Sequence, residues 1–316
     1  MRFVYVMDSL DRVTHDKDTT FAFIAAAQAR GHESWHCLQT GLFSDRGEVW
    51  AHARRVRILD AAPWIVLEGP VTRLPLAQVE AVFIRKDPPF DQDYLYTTLL
   101  LEQARGKTLL INDPRTLRDA NEKLYALNFL DWTPRTLVSA NREQIHDYVT
   151  ELGGVAVIKP LHGAGGLGVM QLRKDDKNAR AIVDTLTQEG TKLALVQEFL
   201  PSVVEGDKRV ILLDGEPLGA ILRVPRSDEL RSNIHVGGSV VPTELTAKET
   251  ALVKAMAPRL RADGLVFVGL DVIGERLTEV NVTSPTGIQE LSRFLGRSVS
   301  EDVIAWVEKK AAAKSG

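Results

Sequence analysis

The sequence predicts an α/β chain of two or three domains, and three observations predict it. Phe3–Val6, residues 21–30 and Glu33–Leu38 read as strand, helix and strand, an α/β opening. Val155–Pro160 and Val169–Leu172 read as two strands flanking a glycine-dense loop. Leu265–Pro285 reads L-V-F-V-G-L-D-V-I-G-E-R-L-T-E-V-N-V-T-S-P, two apolar β-rich runs about Gly274-Glu275-Arg276.

Bulk properties bound the rest. A chain of 316 residues with 44% hydrophobic and 26% charged residues is ordinary for a soluble globular protein with substantial cores. A formal net charge of −3 gives no electrostatic reason to expect nucleic acid or an anionic membrane as partner. Cys37 is the single cysteine, so no intramolecular disulfide can form, which suits a reducing, cytoplasmic compartment. No stretch approaches the roughly 20 apolar residues of a membrane span.

In chain order, the first strand ends at Asp8, and Asp18-Thr19-Thr20 caps the helix that Gly31 closes. His32-Glu33-Ser34-Trp35-His36 is a literal H-E-x-x-H, but it falls on a predicted strand. There, i and i+4 lie roughly 13 Å apart, too far to chelate one zinc ion. Val82–Ile84 is a strand running into Arg85-Lys86-Asp87-Pro88-Pro89-Phe90-Asp91, a charged, proline-stiffened stretch where α/β proteins place ligand contacts. A helix over 94–105 and a strand over 108–112 follow. Gly106-Lys107-Thr108 ends like a phosphate-binding P-loop, but Leu101 stands where its first glycine is required and a strand follows. Asn112-Asp113-Pro114 opens a helical stretch that includes Asn121-Glu122-Lys123-Leu124, and a boundary falls near Thr133-Pro134.

The glycine loop Gly163, Gly165, Gly166, Gly168 between two strands suits phosphate binding through exposed N–H groups, with Lys159 adding charge at the strand end. The alternative is a flexible hairpin tip. A helix over 179–187, strands over 193–196, 207–213 and 217–222, a polar arginine-rich loop over 225–239 and a Thr246-capped helix to Ala262 lead into the final hairpin. The last helix, over 299–313, is amphipathic and structural.

In that hairpin Glu279 and Asn281 share a face. A three-residue loop pairs Ile273 with Leu277 and sets Asp271 across from Glu279, giving two carboxylates and an amide suited to Mg²⁺. A two-residue loop pairs Asp271 with Thr278 and turns Glu279 away. The bland reading is a half-buried strand with a solvated polar face, against which stands a carboxylate in an otherwise uncharged run.

The strings R-K-D-P-P-F-D, N-E-K-L, Lys159-Pro160 with its glycine loop, Gly206-Asp207-Lys208-Arg209 and N-V-T-S-P-T occur in this order. Together they resemble the prokaryotic glutathione synthetases of the ATP-grasp superfamily over nearly the whole chain. The resemblance implies an N-terminal α/β pre-ATP-grasp domain over 1–121, an ATP-grasp lid over 122–200 and a catalytic ATP-grasp domain over 201–316, with α+β character in the ATP-grasp part. It implies ATP-dependent joining of γ-glutamylcysteine to glycine, with ADP and phosphate released through an acyl phosphate, and a homotetramer. Lys123, Lys159, Gly163, Gly165, Gly166 and Gly168 would meet the ATP phosphates. Glu198, Phe199 and Leu200 would meet adenine and Asp207 the ribose. Asp271, Glu279 and Asn281 would bind Mg²⁺, with Mn²⁺ as the alternative. Arg209, Arg223, Arg231 and Asn233 would hold substrate carboxylates or the acyl phosphate. Arg85, Lys86 and Asp87 would contact substrate, and Ser284, Pro285 and Thr286 would line the acceptor side. His162, where aspartate is frequent, and Ser232, where glycine is frequent, depart from the pattern. Rival readings are a ligase joining other amino acids and a nucleotide-binding protein without turnover.

Overall fold

Three sheets carry the chain, and the first is larger than its opening motif predicts. The structure is a computed structural model that describes residues 1–163, 165–225 and 238–314. The first part runs β1 (Arg2–Met7), α1 (Thr19–Ala29), β2 (Glu33–Cys37), β3 (Leu42–Asp45), β4 (Glu48–Ile58), β5 (Ile65–Pro75), β6 (Ala81–Arg85), α2 (Gln92–Glu102), β7 (Leu109–Ile111) and α3 (Pro114–Asp119). Strands β2, β1, β6 and β7 pair in parallel, as the α/β opening predicts. Asp18 caps α1 by accepting the Phe21 N–H at 2.8 Å. Strands β3, β4 and β5 extend this sheet antiparallel on the β2 side, and the sequence reading assigned nothing there. Their pattern is obscured at Arg54-Arg55, where a bulge breaks the alternation of buried and exposed residues along β4.

A second, four-stranded sheet contains β8 (Thr136–Ser139), β9 (Val155–Pro160), β10 (Met170–Arg173) and β11 (Ala194–Glu198), with α4 (Arg142–Glu151) and α5 (Ala179–Thr187) packed on it. Thr133-Pro134 lies just ahead of β8. The segment around Asn121–Leu124 is a turn leading into a 3-10 helix over Tyr125–Phe129, where an α-helical stretch was expected. Lys123 and Leu124 donate their backbone N–H groups to the Asn121 side chain at 3.1 Å, an Asx turn that competes with helix.

The third sheet is antiparallel, in the order β14 (Ser239–Thr243), β13 (Glu216–Val224), β12 (Asp207–Leu213), β15 (Phe267–Ile273), β16 (Arg276–Asn281). A full capping box, in which Thr246 and Glu249 each accept the other's backbone N–H, starts α6 (Ala247–Ala262). Helices α7 (Ile288–Leu295) and α8 (Val299–Lys314) close the chain.

The final hairpin corrects the loop length and keeps the pairing. The turn has two residues, Gly274-Glu275, with φ of 54° and 61°, so Ile273 pairs with Arg276 and not with Leu277. A bulge at Thr278 then shifts the register by one, and Asp271 faces Glu279 after all. The two-residue turn had been expected to turn Glu279 away; the extra residue restores it.

The first and third sheets share their cores. Val4, Val6 and Val82 pack with Val210, Leu212 and α6 on one side, while Phe3, Tyr5 and Phe83 pack with Ile211, Leu213, α1, α7 and α8 on the other. Asn112, just after β7, ties the two sheets further. Its side-chain nitrogen donates to Phe267 O at 2.9 Å and Val282 O at 2.8 Å, and its oxygen accepts from Val266 N and Phe267 N at 2.7 and 2.8 Å. The second sheet has a separate core of eight buried residues, including Ile145, Ile158 and Val196.

Candidate functional site

One face of the third sheet carries a row of charges. Strand pairing puts Arg223 opposite Asp207, Arg209 opposite Asp271 and Asp271 opposite Glu279, so side chains from β13, β12, β15 and β16 meet. Asp207, Arg209, Arg223 and Asp271 are each only 6 or 7% exposed. Arg209 grips Asp271 with Nε at 2.6 Å and a second nitrogen at 3.2 Å, while Arg223 bonds Asp207 and reaches Asp271 at 3.0 Å. Gly269 makes room for this row: a Cβ there would lie 3.0 Å from Arg209 Cδ and 3.1 Å from Pro285 Cβ.

Burial sets the electrostatics. It works against the charged form of Asp271, yet Arg209 and Arg223 outweigh it and hold that carboxyl well below the usual range. For Asp207 burial prevails over Arg223, with Asp271 adding repulsion, and the carboxyl is pushed up to about 6. Neighbouring acids driven apart in this way are common where chemistry is done.

The second sheet approaches the row from its glycine loop. Strands β9 and β10 are an antiparallel pair, so the expected strand–loop–strand unit is present. Gly163, Gly165, Gly166 and Gly168 all have positive φ, from 67° to 127°, a backbone that side chains disfavour. Lys123 Nζ donates to Gly163 O at 3.0 Å and to Glu279 Oε1 at 3.0 Å, spanning the gap between the two sheets. Lys159 Nζ donates to Gln197 Oε1 at 3.0 Å. Burial pulls the Lys159 ammonium below its usual value against the pull of Glu279. Glu198, Phe199 and Leu200 follow at the end of β11, half-buried, where the chain passes into the third sheet.

The expected ligands for a divalent cation can be tested on donor chemistry. Asp271 and Glu279 face each other, and Asn281 lies two residues beyond Glu279 with its nitrogen donating to Gly269 O at 3.2 Å. Its side-chain oxygen thus remains the acceptor of the set, as a hard cation requires. Among the described residues no cluster of three His, Cys, Asp or Glu side chains could hold a metal ion alone. Two carboxylates and an amide oxygen are donors of the kind Mg²⁺ takes, and here both Asp271 oxygens are held by Arg209 and Arg223 and Glu279 Oε1 by Lys123. The H-E-x-x-H string does not form such a site: His32 meets Glu308 at 2.5 Å and His36 meets Asp8 O at 3.0 Å.

The remaining expected residues divide. Arg85 is buried, with Nε on Thr20 Oγ1 at 3.1 Å and a terminal nitrogen on Pro285 O at 3.0 Å, so it props the Ser284-Pro285-Thr286 turn from below. Arg209 holds the same turn through Thr286 O at 3.1 Å. Lys86 pairs with Asp8 at 3.1 Å, and the Asp87 N–H donates to the same carboxylate at 3.1 Å. Arg231, Ser232 and Asn233 lie outside the described residues. Cys37 is buried and its thiol is pushed up to about 12 by burial, which makes it a small core residue.

A family model for the prokaryotic glutathione synthetase N-terminal domain matches residues 1–118, and one for the ATP-grasp domain of the same enzymes matches residues 122–296. The chain belongs to the prokaryotic glutathione synthetase family. It is 43% identical over 323 residues to the glutathione synthetase of Synechocystis sp., covering 98% of this chain and 100% of that one. It is 44% identical to that of Synechococcus elongatus, covering 98% of each. The solved structure of a D-cycloserine synthetase superposes with a TM-score of 0.67 at 15% identity over 97% of this chain and 99% of that one, a likeness of fold alone.

Within this family frame two side chains stand out that the sequence reading did not assign. Gln197 is buried and orients Lys159 while donating to Thr136 Oγ1 at 3.1 Å. Glu122 accepts the Val282 and Thr283 N–H groups at 2.9 and 3.0 Å. A glutamine closing the apolar run of β11, and a glutamate beside Lys123, were the available signals.

Proposed function

We propose that this ATP-grasp ligase makes glutathione by activating the cysteinyl carboxylate of γ-glutamylcysteine as an acyl phosphate and transferring the acyl group to glycine. One observation carries the reading: Lys123 joins the glycine loop to the charge row, so a nucleotide whose phosphates lie on that loop presents its γ-phosphate to Arg209 and Arg223.

The residues then have these tasks. Lys123, Lys159 and the loop N–H groups hold the phosphates and neutralise charge as the γ-phosphoryl group moves to the carboxylate oxygen and ADP leaves. Glu198, Phe199 and Leu200 meet adenine, and Asp207 meets the ribose. Mg²⁺ at Asp271, Glu279 and Asn281 would supply further charge neutralisation across the phosphates. The arginines then stabilise the tetrahedral species formed when the glycine amine attacks the acyl carbon. The new C–N bond forms, the C–O bond to phosphate breaks with its electron pair leaving on phosphate, and the amine's proton passes to solvent or to the departing phosphate. Ser284, Pro285 and Thr286 line the acceptor side, and most of the 225–239 segment expected to exclude water from the acyl phosphate lies outside the described residues. Assembly as a homotetramer is part of the same reading and is tested by sedimentation.

Phosphate release measured with γ-glutamylcysteine plus glycine, against a panel of other dipeptides and acceptors, tests the substrate assignment. The natural pair is expected to give the highest kcat/KM. A different pair performing better overturns it.

A further inference from the structure

We propose that Glu122 is a positioning residue that locks the bulged register of β16 and so fixes Glu279 and Asn281 beside Lys123. The inference rests on the metal reading above.

Strand β16 is at the edge of its sheet, and one row of its N–H groups points away from β15. The segment that follows α3 runs along this edge. Leu277 N donates to Trp132 O at 2.9 Å and Val280 N donates to Glu122 O at 2.9 Å. Val282 N and Thr283 N both donate to Glu122 Oε1, at 2.9 and 3.0 Å. Glu122 thus takes the amides on both sides of Asn281, two of them through one side-chain oxygen, while burial and the nearby Glu279 raise its carboxyl above the usual value. Asn112 holds the Val282 carbonyl at 2.8 Å, so both backbone groups of the residue after Asn281 are fixed.

The register needs such an anchor. Asp271 faces Glu279 only because Thr278 is bulged out of the pairing. Without the bulge, the two-residue turn would pair Asp271 with Thr278 and send Glu279 to the other face. The strand's own bonds for this register lie on the sheet side, where Thr278 Oγ1 donates to Asp271 O at 3.1 Å and Leu277 and Val280 are buried. Glu122 supplies external ones, from the residue adjacent to Lys123, whose Nζ meets Glu279. One dipeptide therefore sets both the strand register and the lysine that faces it. Groups that orient metal ligands without touching the ion commonly matter by about 10–100-fold in affinity or activity.

Reach and charge separate in two variants. Glu122→Asp keeps the charge but is one methylene short; Glu122→Gln keeps an acceptor oxygen at full length. The Asp variant is expected to need about tenfold more Mg²⁺ for half-maximal rate, with its KM for γ-glutamylcysteine near wild type. The Gln variant is expected to stay close to wild type on both. In metal-free protein the Val282 and Thr283 amides should exchange fast in the Asp variant and slowly in wild type and the Gln variant. An Asp variant with wild-type Mg²⁺ dependence and protection overturns the proposal, as does a Gln variant that is equally impaired or unfolded. Glu279→Ala distinguishes the two levels: full activity there defeats the metal reading, while its loss alongside a normal Asp variant defeats the role of Glu122 alone.

Discussion

The second sheet and the first–third sheet pair are held in opposite ways. The first and third sheets share apolar cores on both faces, and buried polar ties through Asn112 and Arg85 cross between them. The second sheet keeps a core to itself, and the contacts that reach the charge row are those of Lys123 with Gly163 and Glu279. Apolar burial stabilises at roughly 25 cal/mol per Å² and is lost only when the surfaces part. In the Lys123–Glu279 pair the lysine is buried, so desolvation offsets much of the attraction, and a ligand's charges can take the place of either partner. The difference teaches that one boundary is built for fold and the other for function. Local opening should therefore follow the second sheet, because segments with few shared apolar contacts open at lower free energy.

Breaking the functional boundary should cost activity and spare stability. Glu279→Ala removes one carboxylate of the proposed Mg²⁺ set and the partner of Lys123. Activity is expected to fall about a thousandfold, roughly 4 kcal/mol of barrier, with the fold retained. Initial rates at saturating Mg²⁺, paired with a melting curve, check it. Near-normal activity would mean that this boundary is structural too.

Breaking the fold boundary should do the reverse. Asn112→Ala strands two backbone donors and two acceptors between β7, β15 and Val282. At about 1 kcal/mol or more each, the loss is roughly 4 kcal/mol, and amides of the first and third sheets should lose protection together. Ile158→Ala, in the fully buried centre of the second sheet, should cost about 3 kcal/mol. Its loss of protection should stay within residues 136–198. Hydrogen exchange on the two variants decides; coupled loss throughout the chain in the Ile158 variant would erase the distinction.

How much of this was legible in the sequence depends on where each signal is stored. The glycine loop, the capping residue Thr246 and the strand carrying Asp207 and Arg209 follow local chemistry, and the observed elements match closely. The Asp271–Glu279 pairing was foreseen for the wrong reason, because a bulge at Thr278 is decided by contacts on the far edge of β16 and leaves no local mark. Strands β3 to β5 were missed because Arg54, Arg55 and Arg57 look like a solvated stretch, although Ala51 and Ala53 just before them and Val56 among them are buried. Arg85 was read as a substrate contact from the charged, proline-stiffened stretch that follows a strand and from the family resemblance. Its burial against Phe23 and Phe267 and its bond to Pro285 O arise only once the first and third sheets are side by side.

The smallest expected effect lies at the outer rim of the fold boundary, where Glu308 on α8 meets Arg30 and His32 at 2.6 and 2.5 Å. The hydrogen bond from Arg30, with a further one from His32, lowers the Glu308 carboxyl to about 2. A carboxyl lowered by folding binds fewer protons in the native than in the unfolded state. Its contribution is therefore complete above the ordinary carboxylate value and disappears as pH falls toward 2. The group is near solvent, and screening keeps the effect to no more than about 1 kcal/mol. Glu308→Gln is expected to lower the melting temperature slightly at pH 7 and to converge on wild type in acid. A large loss at pH 7 would show that α8 is held to the first sheet by this ion pair more than by Val299, Val303, Ile304 and Val307 beneath it, and a difference that persists once the carboxyl is protonated would show that the charge is not its source.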